Sequence, residues 1–377
     1  MEKLVKVGIT GQDGFMGSHL YNFLGTKKNR IERVSFQKYY FDDVAALKEF
    51  VNSCDVIVHL AAMNRNEDQQ VLYNTNLGLV QKLVSACEAT NSLPKIIFSS
   101  STHEESDSLY GKSKFDGRRH LENWANKTSG RVASLIIPNV FGPFGKPFHN
   151  SFIATFSHQI VAGEQPTVIN DSTIKLIYIN ELSETIYNEI LKQNTEKIQS
   201  YVVPHTSSRK VSEILEILKS FKRKYVDNGQ LPKVDLYSFE LDLFNTFTSF
   251  IPKDYFPRKL MKHTDERGAF VETMRAGSAG QASYSITVPK VTRGNHYHTR
   301  KVERFVVISG KASIQLRKVD SDEVFEYTLD GAEPAYVDMP IWYTHNITNT
   351  GNTELIILFW INEPYDPEDA DTYFLKV

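Results

Sequence analysis

The run Lys3–Gly17, KLVKVGITGQDGFMG, carries an apolar strand straight into a glycine-rich turn and the first residues of a helix. Gly11, Gly14 and Gly17 stand at GxxGxxG spacing. Such a turn lets the backbone approach a pyrophosphate, and the helix behind it supplies amide donors and a partial positive charge. Gly11, Gly14, Phe15, Met16 and Gly17 are therefore the expected phosphate-cradling positions. Outward from this run, apolar stretches of strand length alternate with helical patterns to about residue 245. Strands are expected at Lys3–Thr10, Arg33–Phe36, Asp55–Ala61, Lys95–Ser99 and Arg131–Pro138. Helices are expected at Gly17–Leu24, Val44–Asn52, Asn76–Thr90 and Tyr110–Thr128. Continuous apolar strands alternating with helices mean a parallel sheet covered on both faces.

The texture changes after about residue 258. Short strand-like segments follow one another between turn signals: Ala282–Val288, Arg304–Ile308, Ala312–Lys318, Glu323–Leu329, Ala335–Val337 and Leu355–Trp360. This is the pattern of a small all-β sandwich or barrel. Pro252 and Pro257 bracket an aromatic-rich link between the two textures. The expected organisation is an α/β dinucleotide-binding domain over 1–247, a linker over 248–260 and an all-β domain over 261–377.

Composition narrows the function classes. The 377 residues fit two domains, and 43 Lys+Arg against 45 Asp+Glu leave a net charge of −2. That charge offers no global basic field for nucleic acid and no basic run for a membrane surface. Two cysteines, Cys54 and Cys87, with no CxxC, point to a reducing compartment. No apolar stretch approaches ~20 residues, so no membrane span is expected. The N-terminus enters its strand without the regions of a signal peptide, and a cytoplasmic location is expected.

Two further features of the first domain bear chemistry. An acid about 20 residues beyond the glycine turn would take the ribose 2′-hydroxyl of NAD. Here the second strand ends Phe36-Gln37-Lys38, and Asp42 and Asp43 come only later. Lys38, with Arg33 near it in sequence, suits a 2′-phosphate, so NADPH is the expected cofactor. Tyr110-Gly-Lys-Ser-Lys114 opens the long helix, and its i, i+4 spacing stacks Tyr110 and Lys114 on one face. A neighbouring ammonium favours the phenolate and draws tyrosine toward acid–base range. Ser99, Ser100 and Ser101 end the preceding strand, where a hydroxyl can hold a substrate oxygen. Together with His59-Leu60-Ala61-Ala62, Asn76 and Pro138-Asn139-Val140-Phe141-Gly142-Pro143, these residues resemble the extended short-chain dehydrogenase/reductase family, with its Rossmann fold. The resemblance implies Tyr110 as acid/base, Lys114 as its partner and cofactor ligand, and Ser101 as third member, with Ser100 and Thr102 as alternatives. It also implies cofactor contacts from Leu60, Ala61 and Ala62 and a substrate contact from Asn139. The stretch between Ser101 and Tyr110 is shorter than the family's usual loop.

In the second domain, Gly294-Asn295-His296-Tyr297-His298 is followed by Glu303 and Gly310. His296 and His298 alternate on a strand and so share a face. Glu303 opens the next strand, and His345 is expected in a later turn. Three histidines and a carboxylate gathered inside a small barrel make a divalent-metal site. Zinc is the first choice, and manganese, iron and nickel accept the same ligands. The Glu303–Gly310 spacing and the run Pro340–Asn349 resemble the two cupin motifs, with Trp342 where the second motif has glycine. Asp265–Glu272 (DERGAFVE) and Arg293–His296 (RGNH) resemble dTDP-sugar 3,5-epimerases, whose histidine base would claim His296 a second time. The HxH–Glu–His set favours the metal and leaves the base unassigned. Arg267, Lys301, Asp338 and Tyr343 are candidate substrate contacts.

A reductase followed by a cupin, ending Tyr365-Asp366-Pro367…Asp371-Thr372-Tyr373-Phe374-Leu375, resembles bifunctional capsular/O-antigen polysaccharide enzymes of the UDP-N-acetyl-L-fucosamine route. The resemblance implies C3 epimerisation of a UDP-4-keto-6-deoxy-HexNAc in the cupin domain. NADPH-dependent reduction at C4 would follow, giving UDP-2-acetamido-2,6-dideoxy-L-talose. It also implies a homodimer. Competing readings are a nucleotide-sugar reductase whose cupin serves only dimerisation, and a non-catalytic NADP-binding sensor.

Overall fold

A computed structural model describes residues 3–193, 196–265, 268–271, 273–274, 280–363 and 365–377. The chain divides into two compact units, one of Met1–Thr155 with Ile169–Val211 and one of Phe156–Val168 with Ser212–Val377.

The first unit is built on β1 (Val5–Thr10), β2 (Ile31–Val34), β3 (Val56–His59), β4 (Lys95–Ser101), β5 (Arg131–Ile137) and β8 (Ile198–Val202), with sheet order β2-β1-β3-β4-β5-β8. Every pairing in this sheet is parallel. β3 and β4 are buried at every residue, as a parallel sheet sandwiched between helices requires. Helices α1 (Phe15–Gly25), α2 (Val44–Ser53), α3 (Gln69–Thr90), α4 (Leu109–Lys127) and α6 (Ile179–Leu191) supply the cover. Phe36, Phe50, Ile57, Leu83, Phe98, Leu121 and Trp124 share one core cluster. Each such side chain contributes about 1.5–3 kcal/mol of burial free energy. α3 begins at Gln69, earlier than the apolar spacing from Asn76 indicates. Asp68 sets this start, because its carboxylate accepts from the Gln70 and Val71 amides. A smaller sheet holds β6 (Asn139–Phe141), β7 (Thr173–Tyr178) and β9 (Ser207–Lys210). The strand order reverses between β1 and β3, so the crevice at their carboxyl ends is where an open sheet of this kind receives a ligand.

The second unit contains two five-stranded antiparallel sheets. One has the order β10 (Arg258–Lys259), β18 (Ala335–Met339), β15 (Glu303–Ser309), β20 (Leu355–Ile361), β13 (Gln281–Thr287). The other runs β17 (Val324–Asp330), β16 (Lys311–Lys318), β19 (Tyr343–Asn349), β14 (Thr292–Tyr297), β21 (Tyr373–Phe374). A hairpin of β11 (Lys262–Asp265) and β12 (Gly268–Val271) lies between β10 and β13 in the chain. Val307, Ile314, Val337, Ile347 and Ile357, drawn from both sheets, form the core. The all-β cupin-like architecture expected after residue 258 is therefore present.

Helices α5 (Phe152–Val161), α7 (Val211–Phe221) and α8 (Phe239–Thr248) complete the element list. By compactness the chain from Ser212 groups with the barrel, although the sequence texture changes only near 248–260. The reason is a buried polar knot. Arg304 on β15 pairs with both carboxylate oxygens of Asp338 on β18, at 2.7 and 2.8 Å. Its guanidinium also donates to the Gly229 carbonyl at 3.0 Å and lies over the Tyr336 ring. Tyr225, in a π-helical turn after α7, donates its hydroxyl to Asp338. Among the described residues no helix is long and apolar enough to cross a membrane.

A cation buried this completely is strongly destabilising once its partner is gone. Asp338→Ala is expected to cost about 3–5 kcal/mol. A urea titration followed by circular dichroism checks this, and a midpoint equal to wild type would contradict the role of the pair.

Candidate functional site

In the first unit the glycine turn takes its shape from backbone proximity. Gly11 has φ +75°, and a Cβ there would lie 2.8 Å from the Ala61 backbone. A Cβ on Gly17 would lie 2.1 Å from the Gly11 carbonyl oxygen. Gly14 caps α1 without a side chain, which leaves the first-turn amides of Phe15, Met16 and Gly17 open toward an anion. Leu60, Ala61 and Ala62 run alongside. The Leu60 amide donates to the Thr10 carbonyl at 3.1 Å, and Asn76 clasps Met63 through both of its backbone groups. Gln12 accepts from the Phe36 amide at 3.2 Å and so ties the turn to the chain leaving β2.

Lys38 does not end a strand. β2 stops at Val34, and Lys38 is the exposed first residue of a 3-10 turn. Arg33 does not join it, because its guanidinium donates to the Tyr21 carbonyl and stacks on the Tyr21 ring. The nearby acids have other employment: Asp42 pairs with Lys82 at 3.0 Å, and Asp43 caps α2.

The serines at the end of β4 divide their roles. Ser99 donates to the His59 carbonyl, and Ser100 donates to Glu104. Ser101 accepts from the His103 amide at 3.2 Å and is the serine whose hydroxyl lowers the Tyr110 pKa, while exposed Thr102 begins a 3-10 turn. That turn is how the short stretch before Tyr110 closes. It packs so tightly on α4 that a Cβ on Gly111 would lie 1.9 Å from the His103 oxygen. Arg118 grips Glu104 at 2.8–3.1 Å. Sequence reading missed both residues, since neither belongs to a motif. Lys114 donates to the Ser99 carbonyl at 3.0 Å, with its ammonium 5.9 Å from the Tyr110 ring centre.

The electrostatics correct one expectation. Burial raises the Tyr110 pKa and outweighs the opposing hydrogen bond to Ser101. Lys114 does not draw the phenol down, and burial pushes its own pKa down to about 8. Asn139 is exposed two positions past Ile137, the strand partner of Ser101.

In the second unit, His296, His298, Glu303 and His345 converge, with their ligand atoms within 4.8 Å of one another. Gly294 and Asn295 adopt positive φ and bulge β14, which shifts its register against β19. After the bulge His296 stands opposite His345. His345 lies within β19 and not in a turn; the polar run Tyr343–Asn349 concealed that strand. Trp342 takes φ +62°, the backbone form for which the motif uses glycine. Its amide donates to the His298 carbonyl at 2.7 Å, and its ring stacks on Tyr297.

The donor chemistry of this cluster suits a cation. His298 Nδ1 faces the Asp371 carbonyl at 2.6 Å, and His345 Nδ1 faces the Tyr343 carbonyl at 3.3 Å. A carbonyl only accepts, so each Nδ1 carries a proton, and in the neutral ring each Nε2 presents a lone pair. Those Nε2 atoms lie 3.3 and 3.0 Å from Glu303 Oε2, and all three atoms are buried without a well-formed hydrogen bond. Burial, followed by its histidine neighbours, holds His296 down at about 4. Burial opposes the charge of Glu303, but His298 and His345 in their protonated forms overcome it and keep the carboxyl below its usual range, and Glu303 in turn raises the His298 pKa against the effect of burial. These four residues can hold a divalent metal.

The expected substrate contacts fare differently. Asp338 is taken by Arg304, and buried Lys301 by the Ala370 carbonyl and Glu363. Tyr343 packs against the barrel core, and burial pushes its pKa up to about 12. Arg267 lies outside the described residues.

Comparison with known proteins follows the same division. Residues 7–203 match the NAD dependent epimerase/dehydratase family, and residues 263–373 match the polysaccharide biosynthesis C-terminal domain. A UDP-2-acetamido-2,6-beta-L-arabino-hexul-4-ose reductase of Pseudomonas aeruginosa is 32% identical, over 99% of both chains. The crystal structure of the capsular polysaccharide assembling protein CapF from Staphylococcus aureus is 33% identical, covers 99% of this chain and 100% of its own, and superposes with a TM-score of 0.62. A Thermus thermophilus UDP-glucose 4-epimerase in complex with NAD, 17% identical, covers 66% of this chain and 99% of its own at a TM-score of 0.54; it shares the fold.

The depressed Lys114 has a stability signature. From about pH 8 to the 10.5 of an exposed lysine, the unfolded chain holds a proton that the folded chain has lost. Stability therefore rises with pH across that window. Lys114→Met removes this contribution, so wild type should gain stability relative to the variant between those values. Urea melts at stepped pH check it, and parallel pH profiles would refute it.

Proposed function

Because this chain belongs to the NAD dependent epimerase/dehydratase family, and matches a UDP-sugar reductase from end to end, we propose that it is a bifunctional UDP-sugar enzyme of capsular polysaccharide synthesis. Its cupin domain, 261–377, epimerises C3 of a UDP-4-keto-6-deoxy-HexNAc. Its Rossmann domain, 1–247, then reduces the C4 ketone to give UDP-2-acetamido-2,6-dideoxy-L-talose, and 248–260 links the two. The observation that carries the reading is the presence, in one chain, of a Ser101–Tyr110–Lys114 set behind a glycine turn and of the four-residue cluster His296, His298, Glu303, His345. The same proposal makes the enzyme a cytoplasmic homodimer.

The residues divide the work as follows. NADPH supplies the hydride that goes to C4. The backbone at Gly11, Gly14, Phe15, Met16 and Gly17 holds the pyrophosphate, and Lys38 meets the 2′-phosphate, where no acid stands ready to bind a 2′-hydroxyl. Leu60, Ala61 and Ala62 line the cofactor. Tyr110, a neutral phenol because burial raises its pKa, gives its proton to the oxygen at C4 as the new C–H bond forms. Lys114 then stands close to the phenolate left behind. Ser101 orients the phenol and the substrate oxygen; Asn139 contacts the sugar nucleotide in the Rossmann domain, and Arg267 and Tyr343 contact it in the cupin domain. A 4-keto group acidifies the neighbouring C3–H, so a proton can leave C3 and return to the opposite face. A divalent ion, zinc by preference, supplies a positive charge that polarises the carbonyl. His296, His298, Glu303 and His345 would hold that ion.

Tyr110→Phe is expected to lower NADPH oxidation by about 10²–10⁴-fold, while deuterium exchange at C3 of the 4-keto substrate continues. The test is to supply that substrate with NADPH in deuterated buffer and follow both. Undiminished oxidation would overturn the assignment of Tyr110, and a wild type inert in both assays would overturn the function.

Lys38→Ala is expected to raise KM for NADPH by tenfold or more and to leave NADH nearly unchanged. A wild type that prefers NADH in steady-state kinetics would refute the cofactor choice.

A further inference from the structure

His298 takes its orientation from the far end of the chain. Its Nδ1 donates to the backbone oxygen of Asp371, a residue that is 5% exposed and held at φ +43°. Left-handed backbone is unfavourable for a residue with a Cβ, although Asp tolerates it better than most. The Asp371 carboxylate holds the conformation. Oδ1 accepts from the Thr299 hydroxyl at 2.6 Å and its amide at 3.1 Å, and Oδ2 accepts from the amides of Arg300 at 3.0 Å and Lys301 at 3.2 Å. Three consecutive amides around one carboxylate make an anion nest. Residues 299–301 are also the start of the short connection from His298 to Glu303. One side chain thus fixes the loop between two members of the cluster, and its own carbonyl fixes the tautomer of one of them. Neighbouring contacts bind the rest of the segment to the same strands. β21 pairs with β14 at His296 and Tyr297, the Leu375 amide donates to the Asn295 carbonyl, and Arg317 donates to the Lys376 carbonyl.

We propose that Asp371 is a positioning residue of the metal centre. It anchors a C-terminal strap that aims His298 Nε2 and sets the spacing of His298 and Glu303. This rests on the reading of the four-residue cluster as a metal site. An outer partner that orients a ligating histidine typically governs metal affinity by 10–100-fold.

The test uses the full-length chain, with zinc affinity measured by chelator competition and coordination geometry by the d–d absorption of bound cobalt(II). Asp371→Ala should weaken zinc by about 10–100-fold and shift the cobalt bands. Asp371→Gly, which relaxes the positive φ but deletes the carboxylate, should do the same, separating the carboxylate's role from strain. Asp371→Asn keeps size and removes one acceptor from the nest; it covers the case in which the smaller residues do not fold, and should weaken zinc about tenfold. Asp369→Asn loosens only the Arg300 pair of the same segment and should leave zinc affinity within about twofold of wild type. Zinc affinities and cobalt spectra of the Asp371 variants equal to wild type would overturn the proposal while the metal site stood. A wild type that binds neither ion would remove the metal reading and the proposal together.

Discussion

Exclusion of water from polar groups is the constraint on which both units depend. In the first unit it falls on a lysine of the candidate site: Lys114 is buried, and what it reaches is a backbone carbonyl of β4 and the faces of two aromatic rings. A carbonyl stabilises an ammonium less than a carboxylate does, and the pKa falls accordingly. In the second unit it falls on lone pairs: imidazole nitrogens and a carboxylate point at one another with little hydrogen between them. On the function proposed above, the first arrangement readies a proton donor beside it, and the second readies a receptor for positive charge. Their difference follows from which atoms the backbone forces into the dry region.

That backbone is shaped at a few positions of unusual φ. Gly11 allows β1 and the chain after β3 to touch, while Gly294 and Asn295 rotate β14 so that a histidine faces a histidine across the strand pair. Trp342 shows that the geometry outranks the residue. The position demands left-handed backbone, and an aromatic ring stacked on Tyr297 offsets the strain that a glycine would have avoided.

The sequence was legible wherever burial is continuous and local. Runs such as Val56–Val58 and Ile96–Phe98 are apolar because both faces of the sheet are covered, so they declare themselves without neighbours. The glycine spacing and YxxxK could be read because local backbone geometry enforces them. Tyr343–Asn349 could not, because a barrel strand that places a buried histidine and hydrogen-bonding side chains is polar on a face where the rule expects apolar residues. Lys38 was placed on a strand that had already ended. Glu104, Arg118 and Asp371 act through partners that only the fold brings near, and no spacing in the chain announces them. The electrostatic error at Tyr110 has the same root: proximity to Lys114 is visible in i, i+4 spacing, whereas desolvation depends on everything else packed around the pair.

The knot of Arg304, Asp338 and Tyr225 bears on how the chain could be cut, or could have been assembled in evolution. Shuffling a gene piece that starts at residue 261 would deliver a barrel lacking the Gly229 carbonyl and the Tyr225 hydroxyl that complete its interior. In this chain the interior of the barrel therefore leans on a helical leader from about Ser212.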